Sequence, residues 1–152
     1  MQAWKNGAHP EWLAALAAAE LSEQIPVDVL CRIAFQECSW RPSVIFGKTP
    51  SSAGCLGMMQ LNPLYFPGAG VDWSADVLTA ANYLRLALYG RFKDWQIAVA
   101  AYNWGPTAMA HWLRAGSIIA QLPVETADYV RDVFSDVPVA GVLLPQLGSL
   151  NA

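Results

Sequence analysis

Apolar residues recur along most of this chain at spacings of three and four, the period of a helix with one buried face. Pro10 to Leu21 reads as a first helix, with Leu13, Leu16, Ala17 and Leu21 on one stripe. Ile25-Pro26 opens a second, since proline is tolerated in a first turn. That helix runs through Val27–Cys38 and ends before Arg41-Pro42, because the residue preceding a proline is pushed out of the helical region. Gly47–Gly57 is a loop whose small residues permit close backbone approach. Met58–Pro63 reads as a short helical turn, and Pro67–Gly70 as another loop. Ser74–Tyr89 is a third main helix, with Val77, Ala81, Leu84 and Leu88 on one apolar face and Gly90 as its stop. Asp94–Asn103 is a fourth, with Ile97, Ala100 and Ala101 inward, halted by Gly105-Pro106. Thr107–Ala115 and Val124–Asp132 complete the set. No stretch alternates apolar and polar residues long enough to make a strand, so the pattern predicts an all-α fold.

The 152 residues suit a single domain, expected over residues 1–136. Residues 137–152 carry no charge and include Pro138 and Pro145, which leaves open an extended tail, a docking segment or an ordered arm. The chain is 55% hydrophobic, yet no apolar run reaches the roughly 20 residues that span a bilayer. Its first residues lack the basic region, apolar stretch and cleavage site of a signal peptide. A net charge of -3 argues against nucleic acid as a partner. Three cysteines, Cys31, Cys38 and Cys55, make neither a disulfide framework nor a zinc pattern, and with only His9 and His111 beside them no metal or other cofactor is expected. Seven tryptophans fill a core or, for one to three of them, line a groove that stacks on sugar rings.

One residue breaks the periodicity. In the second helix Asp28, Arg32 and Gln36 form a polar face opposite Leu30, Ile33 and Ala34. Glu37 follows Leu30 by two turns and so falls on the apolar stripe. An unpaired carboxyl in an apolar setting keeps its proton near neutral pH, the condition for a general acid. A carboxylate satisfied by Arg41 or by a helix N-terminus is the structural alternative, and periodicity does not choose between them.

Five segments in order carry a resemblance. They are Pro26–Pro42 around Glu37, Ser52-Ala-Gly-Cys-Leu-Gly-Met-Met-Gln-Leu-Asn-Pro63, Asn82-Tyr-Leu84, Ala100-Ala-Tyr-Asn-Trp-Gly-Pro106 and Leu122-Pro-Val-Glu-Thr-Ala-Asp-Tyr-Val130. Together they resemble the catalytic domain of the soluble lytic transglycosylases, which is related to goose-type lysozyme, across roughly Leu21 to Phe134. The resemblance implies a lysozyme-like single domain, a helical bundle around a glycan-binding cleft. It implies Glu37 as the acid/base. It also implies substrate contacts from Cys38, from Met58, Met59 and Gln60 after Gly57, from Tyr102 and Asn103, and from Tyr129.

The sequence departs from the family pattern at four places. Cys38 stands where the family usually has serine, Cys55 where alanine is usual, Met58 where leucine is usual, and Trp104 where a small residue follows Tyr-Asn. Cysteine is a weaker hydrogen-bond donor than serine, which puts polar support at that position in doubt. The convergence of the two motifs in the family also raises the question of a Cys38–Cys55 disulfide, against two free thiols.

Most glycosidases use two carboxylates; the resemblance implies one. Protonated Glu37 would donate to the glycosidic oxygen between N-acetylmuramic acid and N-acetylglucosamine, with the substrate's own acetamido group supporting the developing charge. Glu37 would then take the proton of the muramoyl C6 hydroxyl, and ring closure would leave a 1,6-anhydro end without consuming water. A muramidase on the same fold would add water instead, with Asp72 the first candidate for a second carboxylate and Asp76, Asp94 and Glu125 further ones. A non-catalytic wall-binding or virion protein is the reading from a different class. The expected partner is the glycan strand of peptidoglycan and the expected state a monomer acting at the cell wall, with a bacteriophage source preferred.

Overall fold

The computed structural model describes residues 3–150, and the side chains of residues 3–148; residues 1, 2, 151 and 152, the outermost ends of the two expected spans, lie outside it. Among the described residues there are helices and no strand, only an isolated antiparallel bridge between Leu56 and Leu61. No described helix is long and apolar enough to cross a membrane. The chain divides into two compact units, Met1–Tyr83 and Leu84–Ala152.

The first unit opens with a 3₁₀ turn at Ala3–Lys5, followed by α1 (Pro10–Glu23), α2 (Val29–Cys38), α3 (Pro42–Ile45) and α4 (Trp73–Asn82). The His9 imidazole caps α1 by accepting the N–H of Glu11 at 3.1 Å, and Pro10 occupies its first turn. The inward face of α1 is Leu16, Ala19 and Glu20; Leu21, expected on the apolar stripe, is 83% exposed because the helix turns the two sets apart. Helix α1 packs against both α2 and α4.

Helix α2 starts at Val29 rather than Val27, because Asp28 takes a left-handed conformation and contributes no side-chain cap. Its place is filled from α1. The Glu20 carboxylate accepts the N–H groups of Asp28 at 3.0 Å and Cys31 at 3.1 Å, supplying negative charge where the helix dipole favours it. Leu30, Ile33 and Ala34 are buried as the periodicity predicts. Arg32, expected on a polar face, is buried as well; its guanidinium lies 4.8 Å over the Trp4 ring. Trp12 and Trp40 stack at 6.2 Å, Phe35 packs on Trp40, and the Trp40 indole N–H donates to the Trp4 carbonyl at 2.8 Å. The tryptophan-rich start of this unit is therefore core and clamp.

A long loop joins α3 to α4. The expected helical turn after Gly57 is instead a tight reversal, closed by paired backbone hydrogen bonds between Leu56 and Leu61 at 2.9 and 3.0 Å. Beneath it lies Asp76 of α4, buried, whose Oδ2 accepts the N–H of Gly70 at 3.0 Å. Gly57 abuts that same carboxylate oxygen so closely that a β-carbon there would collide with it, and its φ of +83° is a conformation glycine alone takes readily.

The expected helix Ser74–Tyr89 begins instead at Trp73 and resolves into α4, a π-helical segment at Tyr83–Tyr89, and α5 (Gly90–Phe92). Gly90 does not stop it; the chain turns at Lys93, in the left-handed conformation. Val77, Ala81, Leu84 and Leu88 are buried as predicted.

The second unit is built on α6 (Trp95–Trp104), which packs against α7 (Pro106–Arg114), α8 (Val124–Phe134) and α9 (Leu143–Leu150). Asp94 caps α6 through the N–H of Ile97 at 2.9 Å, and every residue from Gln96 to Ala101 is buried. The segment after 137 holds a helix, α9, with Leu143 and Leu147 buried. Buried Gln96 fastens it: Nε2 donates to the Val139 carbonyl at 3.1 Å, and Oε1 accepts the N–H groups of Leu143 at 3.0 Å and Leu144 at 2.8 Å. Of the extended tail, docking segment and ordered arm that the uncharged sequence left open, the described residues here form a docked helix.

Candidate active site

Glu37 occupies the last turn of α2, half-buried. Immediately after it the chain makes two consecutive left-handed steps, Ser39 (φ +49°) and Trp40 (φ +55°). Neither is glycine, so the turn holds local strain, which the Trp40 clamp and the bond from Ser39 N–H to the Phe35 carbonyl at 2.8 Å hold in place. The reversal then brings Arg41 back to the end of α2. Its backbone N–H donates to the Cys38 carbonyl at 2.9 Å, and its Nε approaches the same oxygen at 3.4 Å.

A cavity of about 380 Å³ opens here, lined by Glu37, Arg41, Val44, Thr49, Pro50, Ser51 and Gln60. Glu37 is its single carboxyl group and Arg41 its single cation. None of the seven lining residues is a tryptophan. Gln60 has a left-handed backbone (φ +50°), and its Nε2 donates to the Gly57 carbonyl at 2.9 Å. One amide hydrogen is thus tied to the loop, leaving the side-chain carbonyl and the second N–H as the groups it offers. Ser51, also on the lining, braces its loop: its Oγ accepts the N–H of Cys55 at 3.0 Å.

Of the residues expected at the site, Glu37 and Gln60 meet in this cavity. Cys38, Met58 and Met59 do not. All three are completely buried, so their side chains have no surface to offer a glycan, and the expectation of substrate contact from them is corrected. The two methionines pack beneath the loop. Cys38 Sγ accepts the N–H of Trp40 at 3.4 Å, so it helps end the helix. Burial pushes its thiol up to about 11 and that of Cys31 up to about 12. All three cysteines are free; no Cys38–Cys55 bond forms.

Tyr102, Asn103 and Tyr129 belong to the second unit. Tyr102 and Asn103 sit half-buried in the last turn of α6, and Tyr129 is buried in α8. The Asn103 amide oxygen accepts from the Thr126 hydroxyl at 2.8 Å, which fixes the amide and leaves its NH₂ as the remaining donor.

Asp72, Asp76 and Asp94 have structural partners. Asp72 caps α4, accepting from the Ser74 N–H at 2.9 Å and its hydroxyl at 2.7 Å; these bonds hold its pKa below the usual aspartate value, and it does not line the cavity. Asp94 caps α6, and Glu125 lies exposed in the first turn of α8. Asp76, in the first turn of α4, is buried, and burial raises its pKa, partly countered by the Gly70 N–H.

Arg41, Val44, Thr49, Pro50 and Ser51 were not singled out in sequence as site residues. Arg41-Pro42 reads as a helix stop, and Thr49–Ser51 as loop filler. The one available signal was the position of Arg41, four residues after the anomalous Glu37.

The family model described as Transglycosylase SLT domain matches residues 14–118, well over half the chain. The matched span contains Glu37, the whole cavity lining, Tyr102 and Asn103; Tyr129 falls beyond it. No curated protein matches the chain closely enough to count as a relative.

Proposed function

Since the chain belongs to the transglycosylase SLT domain family, with its lysozyme-like all-α fold and peptidoglycan-directed function, we propose that it cleaves the β-1,4 bond between N-acetylmuramic acid and N-acetylglucosamine and leaves a 1,6-anhydro end. The observation that carries this reading is the cavity with one carboxyl group, Glu37, and no second carboxylate on its lining. A direct hydrolase of the two-carboxylate kind needs a nucleophile or base opposite the acid. No other lining residue is a carboxylate, which supports a second nucleophile supplied by the substrate.

In this reading Glu37 protonates the glycosidic oxygen. The acetamido group of the muramoyl residue supports the positive charge as the leaving sugar departs. Glu37, now a carboxylate, accepts the proton of the C6 hydroxyl as that oxygen closes on C1. The hydroxyl is already attached to the reacting ring, so its effective concentration far exceeds that of an unpositioned water. Gln60 orients the sugar through its side-chain carbonyl. Tyr102, Asn103 and Tyr129 are assigned to the same substrate, on the strength of the family motifs that they match. The protein acts at the cell wall.

Digestion in H₂¹⁸O tests the bond chemistry. The proposal predicts products without ¹⁸O at the new muramoyl ends. Incorporation of one ¹⁸O per cleavage would make the protein a muramidase. The departure at Cys38 lends no support to a non-catalytic reading, because that side chain lies outside the cavity and serves the helix end.

A further inference from the structure

The cavity holds one cation that the cleavage chemistry does not use. Arg41 has no ion pair among the described residues; its only described side-chain bond is the long one from Nε to the Cys38 carbonyl. Its backbone is fixed on both sides. The N–H is bonded to the Cys38 carbonyl, and its own carbonyl accepts from Val44 at 3.1 Å and Ile45 at 3.0 Å. Pro42 holds it extended (φ −78°, ψ 118°). Arg41 is exposed and lines the cavity, and with Nε directed at the Cys38 carbonyl its guanidinium keeps two terminal nitrogens, a planar fork, for a ligand. Such a fork matches a carboxylate and is pre-organised to bind one.

Charge within the cavity strengthens the case. As a general acid Glu37 must carry its proton, so the reactive form of the cavity has a net positive charge located at Arg41. The chain as a whole is acidic, at -3, so this cation is a local feature and not part of a basic surface. Of the two sugars in the strand, only N-acetylmuramic acid carries a carboxylate, on the lactyl ether or, when that is amidated, on the peptide stem.

Resting on the function proposed above, we infer that Arg41 is the residue that selects the muramoyl sugar, its guanidinium pairing with the carboxylate of the lactyl group or stem. The pairing places the muramoyl residue in register with Glu37. It also offsets the positive charge that would otherwise favour ionised Glu37.

The test compares wild type, Arg41→Gln and Arg41→Lys on stem-carrying strands and on strands stripped of stems by an amidase. Binding of chitin hexasaccharide, which is neutral, is measured in a Glu37→Gln background with and without Arg41→Gln. The expected result is a rise in KM of roughly tenfold or more for Arg41→Gln, the scale of a lost charge-assisted pair, with kcat changed far less. Arg41→Lys recovers part of it, and chitin binding is unchanged. A loss only on stripped strands identifies the lactyl carboxylate, a loss only on stem-carrying strands identifies the stem, and a loss on both shows that Arg41 accepts either carboxylate. An unchanged KM, or an equal loss of chitin binding, overturns the inference while leaving the proposed function standing. A folded wild type that cleaves neither strand overturns the proposed function and the inference with it.

Discussion

The Glu20 carboxylate accepts the backbone N–H of Cys31 at 3.1 Å, and through that bond α1 holds the start of the helix whose far end carries Glu37. The same carboxylate takes the N–H of Asp28. Glu20→Ala leaves the buried Cys31 donor and the part-buried Asp28 donor unmet. We expect it to lower stability by about 1–3 kcal/mol, read by urea unfolding. Activity per folded molecule should fall too, because α2 loses its anchor.

Glu20 also gives stability a pH dependence of definite sign. Burial raises its pKa above 4.5, so the folded state holds the proton more tightly than the unfolded chain does. Its contribution is therefore fully present below about 4.5 and declines as pH rises through the raised folded-state value. Comparing wild type with Glu20→Gln isolates the effect: the difference in unfolding free energy, wild type minus variant, should fall across that window. A difference that grows with pH would contradict the assignment.

The fold of the helices was legible because burial on one face imposes a period, as Val77, Ala81, Leu84 and Leu88 show. Glu37 was legible for the complementary reason, a carboxyl on an apolar stripe. What stayed hidden depends on partners distant in sequence. Arg32 looks like a surface residue until Trp4 covers it, and Glu20 looks like an interruption until α2 starts against it. Cys38, Met58 and Met59 lie in the right motifs, yet a motif does not say which of its side chains faces the cavity and which packs behind it. The sequence left the form of residues 137–152 open because the docking of α9 depends on Gln96, distant along the chain.

Gly57→Ala should be costly where Gly54→Ala is mild. Both have φ of +83°, but a β-carbon at Gly54 meets open space, whereas at Gly57 it meets the buried Asp76 carboxylate. Backbone strain alone accounts for about 1 kcal/mol in each. The further collision should at least double the loss at Gly57, as measured by thermal unfolding, and should displace Gln60 on the same loop.

Thiol reactivity distinguishes the three cysteines. Cys31 and Cys38 are buried with thiols pushed up to about 12 and about 11, so they should resist a disulfide reagent at pH 8 in the native state. Cys55 is partly exposed and should react first. Denaturation without reductant should release all three; fewer would reveal a bond that the structure does not contain.

Gln96→Leu removes the three hydrogen bonds that hold the segment from Val139 to Leu144. The N–H groups of Leu143 and Leu144 lose their acceptor. Expected is a loss of about 2–3 kcal/mol, with faster hydrogen exchange confined to α9 and its contacts on α6 and α8.

The central claim is that Glu37 alone supplies acid and base for a cleavage that needs no water. Mass spectrometry of purified peptidoglycan, digested by wild type and by Glu37→Gln, tests it most directly. The account predicts anhydro-muropeptides, lighter by one water than hydrolysed ones, from wild type and none from the variant. Hydrated products from wild type, or anhydro products surviving in Glu37→Gln, would contradict it.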